Sequence, residues 1–198
     1  GEHTLGQAAP AWVLNDGNTI LRASWGQGFK APSLYQLFST YGNTSLDAEE
    51  AEGWDAGIEQ HLVDGRIVVS ATYFERDTEN QIDFFSCFAN LAASPLCIVN
   101  GTPRDGFYYN VGQAKAHGVE LEGTADLGPF DVEANYTFSR SENDSPGNVN
   151  RGKLLTRRPE HTANLTFSYD WTSGFQAAAA IRYVGDSFDN VGNTYVLQ

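Results

Sequence analysis

The sequence predicts an all-β fold: an antiparallel up-and-down segment of a transmembrane β-barrel, with about eight strands and the start of a ninth. Three observations predict it. The first is residues 117–139, which alternate almost without error around a tight turn. Val119, Leu121, Gly123, Ala125 and Leu127 point one way, and Gly118, Glu120, Glu122, Thr124 and Asp126 the other. Past the turn, Val132, Ala134, Tyr136 and Phe138 share a face opposite Asp131, Glu133, Asn135, Thr137 and Ser139. Strand side chains alternate with period two, so this pattern makes a sheet with one apolar and one charged face. A soluble sheet with one wet face alternates in the same way, so the hairpin alone leaves both readings open.

The second observation is an asymmetry of connections. Turns at residues 15–18, 64–65, 128–129 and 172–174 are tight, while the connections between those hairpins are mostly long. Alternate connections of an up-and-down sheet lie at the same end. Short turns therefore gather at one end and long loops at the other, as in outer-membrane barrels. The third observation is that aromatics fall at two levels. Trp12, Phe130, Tyr169, Trp171 and Phe175 sit beside the tight turns, and Trp25, Tyr73, Tyr136, Phe138 and Tyr183 lie further up the strands. From Phe175 to Tyr183, at about 3.3 Å per residue and a tilt of about 45°, the chain rises roughly 19 Å, near the apolar band of about 25 Å between aromatic girdles.

In chain order, residues 7–14 read as a strand with Ala8, Pro10, Trp12 and Leu14 on one face, closed by the turn Asn15-Asp16-Gly17-Asn18. Residues 20–29 return with Leu21, Ala23 and Trp25 outward and Arg22 and Ser24 inward, and a long polar connection follows over 30–50. Residues 53–62 set Trp54, Ala56 and Ile58 against Asp55, Gly57 and Glu59. After Asp64-Gly65, residues 66–85 read as one long strand that opposes Ile67, Val69, Ala71 and Tyr73 to Val68, Ser70, Thr72 and Phe74. A second connection spans 86–106, and residues 108–127 read as one strand leading into the hairpin at Gly128-Pro129, where Pro needs no donor and Gly tolerates positive φ. A third polar connection covers 140–158. Residues 160–169 then set His161, Ala163, Leu165, Phe167 and Tyr169 against Thr162, Asn164, Thr166 and Ser168. Residues 175–183 return with Phe175, Ala177, Ala179 and Ile181 outward, and a fourth connection over 185–193 precedes a last apolar fragment.

Composition excludes several classes. With 25 acids against 12 bases the net charge is −13, which argues against a nucleic-acid partner. Hydrophobic residues at 41% exclude disorder. The longest uncharged run, residues 84–103, contains Ser86, Asn90, Ser94, Pro95 and Asn100, so it reads as a loop rather than the roughly 20 apolar residues of a spanning helix. No charged-then-apolar leader opens the chain. It begins mid-pattern and ends on TYVLQ, which resembles the start of a strand, so a fragment is expected. HExxH, GxSxG and phosphate-loop motifs are missing, and Gly26-Gln27-Gly28 lacks the third glycine of a dinucleotide fingerprint. No enzyme, catalytic residue or cofactor is expected.

Residues 21–60, LRASWGQGFKAPSLYQLFSTYGNTSLDAEEAEGWDAGIEQ, resemble the barrel of TonB-dependent outer-membrane receptors. In that family a strand runs into a "GFRAPS-LYQL" loop and then "NP-LKPE" and "E-GIE". The counterparts here are Gly28, Phe29, Lys30, Ala31, Pro32 and Ser33; then Asn43, Leu46 and Glu49; then Glu52, Gly57 and Glu59. Residues 109–123, YNVGQAKAHGVELEG, resemble the family's "N-G-A---GVE" strand, and residues 157–169, RRPEHTANLTFSY, its "RP-HT-NL" strand. The chain departs from "NP-LKPE" at Thr44, Asp47 and Ala48. The nearest flavour is the vitamin B12 and siderophore receptors, with the vitamin B12 type slightly ahead. The resemblance implies a bacterial outer-membrane barrel of about 22 strands with a plugged lumen. It implies outer-membrane lipid as one partner, a small-molecule ligand (cobalamin or an iron chelate) as another, and TonB acting through the TonB box of a plug. Residues 1–198 would then be part of that barrel domain, with the plug and the last strands outside them.

Cys87 and Cys97 are the only cysteines, and an even pair in an exported protein suggests a disulfide. Closing a loop of about 11 residues would contribute roughly 2–3 kcal/mol. A metal reading lacks nearby His or further Cys. The acids Glu120, Glu122, Asp131 and Glu133 are expected to face the lumen near the tight-turn end, with Arg22 and Arg182 as the inward bases. Plug docking and a merely solvated sheet face both account for the acids. Arg151, Lys153, Arg157 and Arg158 in the third connection are candidates for contact with an anion or lipopolysaccharide, since guanidinium suits bidentate phosphate binding, although a solvated loop has the same composition. The functional expectation is TonB-dependent uptake of a scarce nutrient. The alternative is a stand-alone β-rich binding or structural module.

Overall fold

The computed structural model describes residues 4–87, 95–99 and 101–198. Its main sheet is an antiparallel meander. One edge is β1 (Gln7–Ala8) and β2 (Ala11–Leu14), which both pair with β3 (Thr19–Lys30). Next come β4 (Glu49–Leu62) and β5 (Ile67–Glu79). Outside this sheet, β6 (Ile82–Ser86) pairs with β9 (Gly106–Asn110), and β7 (Ile98–Val99) with β8 (Thr102–Pro103). The main sheet continues through β10 (Gln113–Asp126), β11 (Phe130–Asn143), β12 (His161–Asp170) and β13 (Gln176–Val184). The last pair, β14 (Ser187–Phe188) and β15 (Val196–Leu197), is a separate ribbon. Within these residues TYVLQ is extended, and its Val196–Leu197 pairs with the fourth connection. Among the described residues no helix is long and apolar enough to cross a membrane.

The register carries the predicted alternation across the whole sheet. One row on the apolar face is Leu21, Ile58, Ala71, Leu121, Tyr136, Ala163 and Tyr183. The neighbouring row on the other face is Arg22, Gly57, Thr72, Glu120, Thr137 and Thr162. Phe74 breaks the polar face and lies over Gly118, where an added Cβ would come within 2.8 Å of the ring. The apolar face has limits in both directions. At the tight-turn end Phe130, Tyr169, Trp171 and Phe175 form an aromatic chain, with ring centroids 4.6, 4.3 and 5.1 Å apart. At the other end Trp25 pairs with Trp54, which packs on Tyr73 at 5.3 Å. One row higher, the same face carries Gln27, Glu52, Asp77, Lys115 and Glu142. The strands therefore project past the apolar band.

Two expected long strands are each split. The stretch 66–85 breaks between β5 and β6 at Asn80 (φ 54), and 108–127 breaks between β9 and β10 at Gly112 (φ 91). Both breaks fall where the β5–β10 ladder ends, so the ribbon β6–β9 leaves the wall as a unit. Gly112 suits its break doubly: its φ is left-handed, and a Cβ there would meet Ser145 Oγ at 2.6 Å. The first connection also holds a short helix, α1 (Leu34–Phe38), capped reciprocally by Ser33 and Gln36. The third connection is shorter than expected because β11 runs on to Asn143.

Among the described residues the only cluster of buried hydrophobics lies in the loops, not between sheets: Cys87, Cys97 and Phe107, with Phe85 and Tyr109 packed against them.

Candidate functional site: the polar face and the loop cap

The long connections form a cap of interlocked loops. Cys87 and Cys97 are joined by a disulfide, with Cα atoms 5.8 Å apart. Arg104 lies over the Phe107 ring at 5.0 Å, and donates from Nε to Leu96 O (2.6 Å) and from Nη1 to Gly42 O (2.9 Å). It thus ties the disulfide core to the first connection. Asn43 Nδ2 donates to Tyr108 O (3.1 Å), and Asp47 N to Asn110 Oδ1 (2.9 Å), which adds to the same clasp. Burial, with a smaller contribution from Asp83, holds the Tyr109 phenol above its ordinary pKa. The third and fourth connections are clasped as well: Leu154 N donates to Asn193 Oδ1 (2.8 Å), and Asn193 Nδ2 donates to Leu154 O (3.0 Å).

The four sequence-predicted acids all sit on the polar face. Glu120 lies between Thr72 and Thr137, and Glu122 between Ser70 and Asn135. Glu133 is opposite Thr124 and Thr166, and Asp131 opposite Asp126 and Ser168. Among the described residues none of these carboxylates has an ion-pair partner. A shallow cavity of about 200 Å³ is lined by Glu120 and Glu122 together with Arg22 and Glu59, which are paired at 2.5 Å.

The four cations of the third connection do not act as one set. Arg151 pairs with Asp144 (2.9 Å) and Arg157 with Asp189 (2.8 Å), while Lys153 Nζ donates to Gly192 O (2.7 Å). Arg158 alone of the four faces a second polar-face cavity, of about 270 Å³, beneath the cap. Arg76, Lys30, Glu49, Ile82 and Leu155 also line it. Glu49 is occupied twice over, accepting from Lys30 Nζ (2.9 Å) and from Ile82 N (2.8 Å). Arg76 and Arg158 have no ion-pair partner among the described residues. Sequence reasoning named Arg22 and Arg182 as the inward bases and passed over Arg76. Yet Arg76 follows Thr72 and Phe74 at period two, and that spacing already placed it on the polar face.

Over residues 2–197 the sequence matches the family described as TonB dependent receptor-like, beta-barrel. The chain belongs to that family of outer-membrane barrels. The pyoverdine-bound receptor FpvA of P. aeruginosa is 25% identical, with a TM-score of 0.65 over 93% of this chain and 23% of FpvA. The ferric enterobactin receptor PfeA of Pseudomonas aeruginosa is 23% identical, with a TM-score of 0.72 over 98% of this chain and 30% of PfeA. The copper transporter OprC is 19% identical, with a TM-score of 0.69 over 92% and 26%. This chain therefore spans roughly a quarter of the length of these solved proteins. The matched proteins are receptors and transporters, not enzymes. The protein is a bacterial outer-membrane barrel protein.

Proposed function

We propose that residues 1–198 are part of the barrel domain of a TonB-dependent receptor that takes up a ferric siderophore across the outer membrane. The observation that carries this reading is one wall with two chemistries. One face is apolar between two aromatic levels, the other is polar, and its long loops clasp one another, with Ile82, Leu155 and Arg158 lining a cavity on the polar face. That arrangement suits a lipid-embedded pore wall with a ligand-receiving cap. The rest of the barrel and a plug would lie outside these residues. The carboxylates Glu120, Glu122, Asp131 and Glu133 would face the plug, and TonB would act through it.

Cobalamin is the second reading, favoured by the acidic balance of the lower inward face. Arg76 and Arg158, which have no ion-pair partner among the described residues, line a cavity beneath the cap and weigh toward an anionic chelate instead. The deciding experiment expresses the full-length receptor in a strain stripped of its own iron and cobalamin transporters. Growth on a ferric siderophore that is lost on deleting TonB supports the proposal. Rescue by cobalamin alone sinks the iron assignment, and no TonB-dependent rescue by either ligand sinks the receptor reading.

A further inference from the structure

We propose that the cap opens along a seam, with the ribbon β6–β9 swinging on Asn80 and Gly112 and the Ser145 hydroxyl acting as the catch that holds the seam shut. The inference concerns the cap alone and goes beyond the receptor reading. The ladder between β5 and β10 ends at the pair Glu79 and Gln113, and the ladder between β6 and β9 begins at Ile82 and Asn110. In the gap between the two ladders each strand has one left-handed residue, Asn80 (φ 54) and Gly112 (φ 91). Paired breaks at one level make a hinge, since a few such residues absorb the φ/ψ change of a swinging element. The ribbon is held unequally on its two flanks. On the β4 side Ile82 N donates to Glu49 Oε1 (2.8 Å), Asn110 Nδ2 to Asp47 O (3.0 Å) and Tyr108 N to Tyr41 O (3.0 Å). With the bonds from Asn43 and Arg104, the ribbon and the first connection form one half of the cap. The third and fourth connections, clasped through Asn193 and through Arg157 with Asp189, form the other half. Among the described residues the side-chain hydrogen bond between the halves is that of Ser145, whose Oγ donates to Val111 O (2.6 Å) while accepting from Gln113 N (2.9 Å). The hydroxyl thus bridges the backbone on both sides of Gly112, at the hinge. Ser145 is buried, and its backbone N donates to Asn143 Oδ1 (2.9 Å), so the third connection presents the hydroxyl in one place. Beside the catch the halves meet around a cavity of about 30 Å³, with Asp83 and Tyr109 on one side and Asn148, Asn150 and Lys153 on the other. This seam is largely polar, and the buried Cys87, Cys97 and Phe107 lie within one half. It can therefore part without exposing them to water.

The test uses the full-length protein in detergent, spin-labelled at Thr40→Cys and Val149→Cys, one exposed position on each half, with distances read by double electron–electron resonance. A reference pair, Val149→Cys with Val191→Cys, lies within the half formed by the third and fourth connections. With Ser145 in place the first pair should show one closed distance. In the Ser145→Ala background it should gain a longer-distance population, while the reference pair keeps its distribution. Amide exchange at Gln113 should rise about ten- to a hundredfold, because a buried donor loses its partner. Gly112→Ala, whose Cβ would meet Ser145 Oγ at 2.6 Å, should open the first pair with the hydroxyl still present. Heat-modifiable migration on a gel checks that each variant's barrel has folded. A Thr40–Val149 distribution unchanged in both variants overturns the catch. Two populations already present with Ser145 in place overturn it as well, and need no variant at residue 145 or 112. Broadening of both label pairs together overturns the division of the cap into two halves.

Discussion

Leu165, in the middle of the wall, keeps 41% of its surface uncovered by its own chain, whereas Phe107 in the cap keeps 4%. Both are large apolar residues in antiparallel strands. The wall holds its strands by backbone ladders and leaves its apolar side chains uncovered by its own chain, which on the proposed reading lipid covers. The cap meets water and must build its own core, from Cys87, Cys97 and Phe107 with Phe85, Tyr109 and Arg104 around them. The same residue type is therefore governed by different rules in the two regions. In the wall, polarity at a position decides the cost of a substitution; in the cap, volume does.

The largest expected effect is in the cap. Phe107→Ala should cost about 3–5 kcal/mol of local stability, the range for emptying a buried aromatic site. Hydrogen exchange should accelerate across β6 and β9 and leave β11 and β12 protected. Uniform acceleration through the wall would show that cap and wall are one cooperative unit. In the wall, Ala134→Arg or Leu165→Arg should cost about 2–4 kcal/mol in a lipid-refolding titration of the full barrel, because these positions lie midway between the two aromatic levels. Asn135→Arg or Thr166→Arg should cost far less, since those side chains lie on the polar face that the proposed reading turns to the lumen. Equal costs for the two sets would contradict the register. Cys87→Ser with Cys97→Ser should cost the cap roughly 2–3 kcal/mol by loop-closure entropy. The readout is faster proteolysis within residues 86–106 at unchanged barrel melting, and an unaltered cleavage rate would contradict it. The smallest effect is expected at Ser33→Ala, which removes the helix cap and should cost about 1 kcal/mol. Faster amide exchange in α1 would show it.

The same contrast explains what the sequence revealed. Alternation runs along the wall strands, so the place of Glu120, Glu122, Asp131 and Glu133 on the polar face could be read from period two alone. Arg76 was legible by the same rule, carried two residues beyond Phe74. The capping box at Ser33 and Gln36 was equally open to local reading. The breaks at Asn80 and Gly112 were not, because Phe85, Phe107 and Tyr109 continue a strand-like pattern for a different reason: they fill the core of the cap. Nor could sequence show that Arg157 is neutralised by Asp189, since 32 positions and a hairpin lie between them. Loop-to-loop pairing depends on where the wall holds each loop.

The central claim is that one face of this sheet meets lipid and the other lines an aqueous lumen. Single cysteines at neighbouring positions test it most directly: Leu165→Cys and Thr166→Cys in the full-length receptor, reconstituted in lipid vesicles. A membrane-impermeant maleimide should label Thr166→Cys and leave Leu165→Cys unreacted, and a lipid-borne quencher should reach a bimane probe attached at position 165 but not at 166. Equal labelling of both, or the reverse order, would contradict the assignment of the two faces.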